Sequence, residues 1–255
     1  MPHSDVPSID RPAAARAPAT ASASVSASAS VSVSASAPAS TTAFTAIAMP
    51  LSGEDQARAD LYALLSRLLL AAPDAVLLAA LAHADPICAE GGDPALERAW
   101  EQLTTASSVM DPGAVSDEFD TLFISIGTPP VNPYGSRYLS GFMNDTPLAE
   151  LRGDLARYGV QRVRGVGEFE DHLGSLCEVM RVLVAGAPAP FNLPRQPVAH
   201  QQQFFEAHIA PWYARCVADI AAAQGANYYR LVAQLAGAFL DIEAEAFEVG
   251  AAVPE

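Results

Sequence analysis

The chain has 255 residues, a formal net charge of −15 and 14 basic residues, every one of them arginine. So acidic a chain lacks the basic face that neutralises phosphates, which disfavours nucleic acid as a partner and suits either a basic partner or plain solubility. No apolar run reaches the ~18 residues of a membrane span, and three scattered cysteines (Cys88, Cys177, Cys216) argue against a disulfide framework or a zinc site and suit a reducing cytoplasm.

Residues 1–52 read as a disordered tail. From Ala13 to Ala48 the sequence is almost all Ala, Ser, Val, Thr and Pro. Such a segment has almost nothing large to bury against the entropy of ordering. It also lacks the apolar region of a secretory signal. Arg11 and Arg16 balance Asp5 and Asp10, so the acidic surplus belongs to residues 53–250, which suit one domain with a real core.

That domain reads as helix after helix. Ala57, Leu61, Leu64, Leu65, Leu68 and Leu69 recur at helical spacing over 54–71, and Pro73 ends the run. Asp74 can cap a second helix to about His83. Asp93-Pro94 and Asp111-Pro112 are cap-plus-proline starts for two more, the first through Trp100 and Leu103, the second through Phe119, Leu122 and Phe123. Residues 127–141 hold three prolines and three glycines and read as a long loop. Thr146-Pro147 restarts a helix that Gly159 ends. The next runs from about Glu168 to Ala185. A proline-rich crossover over 187–197 leads to a helix carrying Phe204, Phe205 and His208, which Pro211 interrupts. A last helix starts near Asn227. The expectation is an all-α bundle of about seven to nine helices, with no convincing strand.

Two constellations carry chemistry. The first is Glu168, Glu170, Asp171 and His172, read as one helical turn followed by the apolar face Leu173, Leu176, Cys177 and Met180. Acids in a first turn complement the helix dipole, and carboxylates close to a histidine favour its protonation. As metal ligands these residues have no second copy on another helix, as a di-iron bundle would require. Neither a nucleophile elbow nor a phosphate-cradling loop occurs. The second constellation is the 127–141 loop, where Tyr134 and Tyr138 offer rigid contact area and Ser136 and Arg137 offer donors. Unstructured connections this long are commonly functional. Beside an acidic helix start, the loop would complete a groove for an extended peptide. Gln203-Phe204-Phe205 through Trp212 reads as core packing.

Four segments follow one another along the chain: Glu118-Phe119-Asp120-Thr121-Leu122-Phe123; Asn132-Pro133-Tyr134-Gly135-Ser136 with Tyr138; Glu168-Phe169-Glu170-Asp171-His172-Leu173-Gly174; and Phe205 through Trp212. Together they resemble the TorD/DmsD/NarJ family of cytoplasmic chaperones for molybdenum-cofactor enzymes, over about residues 54–248. The resemblance implies an all-helical, non-enzymatic protein without cofactor or metal. Such a protein binds the apo catalytic subunit and its twin-arginine leader and holds back export until the cofactor is inserted. It matches Asp171 and His172 to the family's leader-binding pair, and Tyr134 and Ser136 to its loop. With the acidic rim and the loop aromatics, the expected peptide-binding set is Tyr134, Ser136, Tyr138, Glu168, Glu170, Asp171 and His172. Phe169 and Gly135 depart from the family pattern, which often has Pro and Glu there. The wording of the loop and of Leu151-Arg152-Gly153-Asp154-Leu155 points to a formate dehydrogenase as client. The 187–197 crossover is a hinge where protomers could exchange helices, so monomer and domain-swapped dimer both stay open. The alternative is a helical metalloprotein or enzyme using Glu168, Asp171 and His172.

Overall fold

Helices begin here where a side chain can take up the free amides of the first turn. The computed structural model describes residues 34–35, 51–87, 94–124, 127–162 and 168–251. Ser52 opens α1 (Gly53–Leu70), accepting from Asp55 N at 3.0 Å. Asp74 opens α2 (Ala75–Ala82), accepting from Leu77 N at 2.7 Å. After α3 (Pro94–Val109), Asp111 caps α4 (Pro112–Phe119) on Ala114 N at 2.9 Å. A π-helical turn, Asp120–Ile124, continues α4. There follow α5 (Gly135–Leu139), α6 (Thr146–Arg157), α7 (Leu173–Ala185), α8 (Val198–His208), α9 (Tyr213–Ala222) and α10 (Tyr228–Ala251). The chain is thus all-α, with ten helices among the described residues.

The helix beyond the expected seven to nine is α5, which lies inside the segment read as loop. Its three prolines, Pro129, Pro130 and Pro133, all precede it, so the five residues Gly135–Leu139 are free to close a helical turn. Two-residue strands Ser34–Ala35 and Val160–Gln161 pair antiparallel. The rest of the 1–50 segment lies outside the described residues, and so does Cys88.

The buried side chains form one contiguous cluster from α1 to α10. Its most extensive contact is α1 along α7. Gly174 permits that approach: a Cβ there would stand 2.8 Å from Leu70 Cγ and 3.2 Å from the Ser66 carbonyl. The buried face of α1 is Ala59, Tyr62, Leu65, Ser66, Leu68, Leu69 and Leu70. This shifts the expected stripe, because Ala57 is exposed and Leu61 and Leu64 are half-buried. Tyr62 explains the shift. Its hydroxyl donates to Glu243 at 2.9 Å, and Glu243 also accepts from Arg58 Nε and Nη2 at 2.7 and 2.8 Å. Arg58 Nη2 reaches Gln201 as well, at 3.2 Å. A buried carboxylate needs such full pairing, and it ties α1, α8 and α10 together.

The Glu118–Phe123 segment performs a second tie. Glu118 accepts from Asn227 N, Tyr228 N and Tyr229 N at 2.8, 3.2 and 2.8 Å, so it caps α10 from 110 residues away. Phe119 and Phe123 then pack on Tyr229 with ring centroids 5.5 and 5.2 Å apart.

Candidate peptide-binding site

The loop and the acidic segment, 34 residues apart in sequence, are joined by backbone hydrogen bonds. Leu173 N donates to the Pro133 carbonyl at 2.8 Å, Gly135 N donates to the Asp171 carbonyl at 2.8 Å, and Tyr134 and His172 form an antiparallel bridge. Asp171 adds its side chain, Oδ2 accepting from Ser136 N at 2.8 Å. The first two amides of α5 are therefore capped by Asp171 alone, because Tyr134 supplies no side-chain cap. That explains why a turn this short survives after Pro133.

The acidic segment is not the first turn of a helix. Residues 168–172 are turn and extended backbone, and α7 starts only at Leu173. His172 is its N-cap, with φ −65° and ψ 135°, and Nδ1 accepts from Gly174 N at 3.0 Å. Sequence periodicity could not show this, since histidine is an uncommon cap and the acids fit a first turn equally well. The protonation expected for His172 is also corrected. Asp171 and His172 are buried, and desolvation pushes the imidazole down to about 3.

Tyr134 stands over His172, ring centroids 4.9 Å apart and edge to face, and its hydroxyl donates to Glu168. Burial, then the Glu168 bond, hold the phenol protonated well above its usual range. Phe169 also packs on Tyr134, ring centroids 6.3 Å apart. Tyr134, Ser136, Glu168, Asp171 and His172 are thus brought together in one wall.

Glu170 and Tyr138 are directed elsewhere. Glu170 accepts from Arg152 Nε and Nη2 at 3.1 and 2.9 Å, which fastens the acidic segment to α6. Burial acts to raise the Glu170 carboxyl, yet the Arg152 bonds prevail and hold it below its usual value. Tyr138 stacks on Trp212 at 5.3 Å, and its hydroxyl reaches Asp219 at 2.8 Å. Trp212 also roofs Gly135, where a Cβ would lie 3.2 Å from Nε1, so the loop takes glycine at that position for want of room.

Between the wall, α6 and the end of α8 lies a cavity of about 240 Å³. Glu150 and Leu151 of α6, Pro147, Leu139 and His208 line it together with Ser136 and Asp171. Glu150 was not among the expected residues. The signal was there, since Pro147, Glu150 and Leu151 fall at i, i+3 and i+4 on one helix face. His208 Nε2 lies 2.7 Å from Asp154 Oδ2, which ties the end of α8 to α6. Among the described residues no group of three or more His, Cys, Asp or Glu is placed to hold a metal ion, and no helix is long and apolar enough to cross a membrane.

A model of the family described as nitrate reductase delta subunit matches residues 89–218, half of the chain. The chain belongs to the nitrate reductase delta subunit family. The match covers every residue of the wall and of the cavity and leaves out α1, α2 and α10, which complete the core. Nitrate reductase delta proteins are non-catalytic chaperones in molybdoenzyme maturation. Among curated proteins, none matches the chain.

Proposed function

We propose that this chain binds the apo catalytic subunit of a molybdopterin oxidoreductase together with its twin-arginine leader, in the cytoplasm, and holds back export until the cofactor is in place. The client class is a formate dehydrogenase, from the wording of the loop and of α6. The protein does this without chemistry of its own, as a monomer or a domain-swapped dimer.

One observation carries the reading: the loop 133–136 and the segment 168–173 are zipped into a single wall beside an acidic cavity. A leader that is basic at one end and apolar in the middle fits such a place, through charge-assisted hydrogen bonds and apolar contact. The donor set gives the metalloprotein alternative nothing comparable, because Glu168, Asp171 and His172 are each engaged by a different partner of the wall.

Affinity purification of the tagged full chain from its own cells, followed by mass spectrometry, tests the reading. A molybdopterin oxidoreductase subunit lacking its cofactor is expected to co-purify, and to be lost when its leader is removed. Recovery of that subunit equally well without the leader, or of no such subunit, would contradict it.

A further inference from the structure

Two polar atoms in the cavity wall are left without partners. Ser136 Oγ and Asp171 Oδ1 are buried and make no hydrogen bond. Both residues line the cavity, and they are 0% and 3% exposed. Bare buried acceptors are costly, and native folds keep few of them, so each asks for an explanation. Both can accept: Asp171 Oδ1 as a carboxylate oxygen, Ser136 Oγ through its lone pairs. The lining includes a second carboxylate, Glu150, and no lysine or arginine. Arg152, the nearest arginine of α6, is held by Glu170. A group that brings several N–H donors and a positive charge would complete this set. The planar guanidinium, with five donors in a fixed fork, is the side chain that does so.

The rim next to the cavity is apolar. Leu139 lines the cavity and is itself exposed, and Phe142 and Met143 follow it in the α5–α6 connection, Phe142 at 73% exposure. Ser140 Oγ donates to the Ser136 carbonyl at 2.8 Å and Arg137 donates to the Gly141 carbonyl, so the chain that presents them is fastened to α5. An acidic socket beside an exposed apolar ledge is complementary to a segment that carries an arginine next to apolar side chains.

Resting on the leader-binding reading above, we propose that this cavity is a socket for one arginine side chain of the bound segment. Ser136 Oγ and Asp171 Oδ1 accept from its guanidinium, Glu150 closes the mouth, and Leu139, Phe142 and Met143 take the neighbouring apolar side chains. His172 touches no part of the ligand and acts as a positioning residue for α7. A second guanidinium in the same socket would meet a like charge and find no free acceptor, so the two arginines of a pair are read unequally.

Calorimetric titration of the full chain tests this, using a synthetic peptide with two arginines ahead of a stretch of leucine, phenylalanine and alanine. Ser136→Ala is expected to weaken binding about tenfold without lowering the melting temperature, because Oγ has no partner in the fold. Glu150→Gln and Phe142→Ser are expected to weaken it several-fold, and replacing the two arginines in turn by citrulline is expected to give unequal losses. Wild-type affinity in both Ser136→Ala and Glu150→Gln would overturn the socket, leaving its acceptors to a trapped water, while the leader-binding reading stood. A lower melting temperature in Ser136→Ala would overturn it too, by revealing a structural role for Oγ. No binding by the wild-type chain would overturn both.

Discussion

His172 shows how one residue can be placed correctly by pattern and still be given the wrong state. Among three carboxylates its sequence neighbourhood favours the imidazolium, yet the folded chain buries it as a neutral cap. The consequence is a pH dependence of definite sign. Its folded value lies near 3 against an ordinary 6.5, so as pH falls the unfolded chain takes up the proton first. The stability associated with neutral His172 is complete above pH 6.5 and declines below it, by up to roughly 1.4 kcal/mol per pH unit, until the folded value is reached. Asparagine keeps an acceptor for Gly174 N and does not titrate. His172→Asn is therefore expected to lose distinctly less stability than the wild-type chain between pH 7.5 and 4.5 in urea unfolding, and parallel losses would count against the buried neutral cap.

At the scale of elements, two residues of the four segments that carry the family resemblance are explained by contacts with distant parts of the chain. Gly174 lies where α7 meets α1 with no space for a methyl group. Gly174→Ala is expected to cost about 1–3 kcal/mol by overpacking. Glu118 caps α10, and Glu118→Ala, which strips three amides of their acceptor, is expected to cost about 1–2 kcal/mol. Guanidinium unfolding of each variant measures both losses; an unchanged midpoint in either would contradict the contact assigned to it. Helix starts were the legible part of this fold, because Asp74 and Asp111 act on amides three residues away and such local rules are written in the sequence. The caps on α5 and α10 were illegible for the converse reason: Asp171 and Glu118 act across 35 and 109 or more residues. The stripe of α1 was misplaced by the same kind of distance, since Tyr62 faces inward to meet Glu243.

In the molecule as a whole, the wall is built by pairing two segments that the sequence could only place side by side. Tyr134, Ser136, Glu168, Asp171 and His172 are legible as a group because their residue types stand out from the apolar helices around them. What the sequence left open was their division of labour. Asp171 and His172 shape the wall, Glu170 and Tyr138 fasten it to α6 and α9, and Glu150 joins from a helix that carried no distinctive motif. The acidic surplus of the chain then favours encounter with a basic segment over long range, an effect that salt screens. The most direct measurement of the central claim is amide hydrogen exchange of the full chain with and without the two-arginine peptide. Protection is predicted over residues 133–143 and 168–176, with α2 and α3 unaffected. Protection confined to other elements, with these two segments exchanging as in the free chain, would contradict the account.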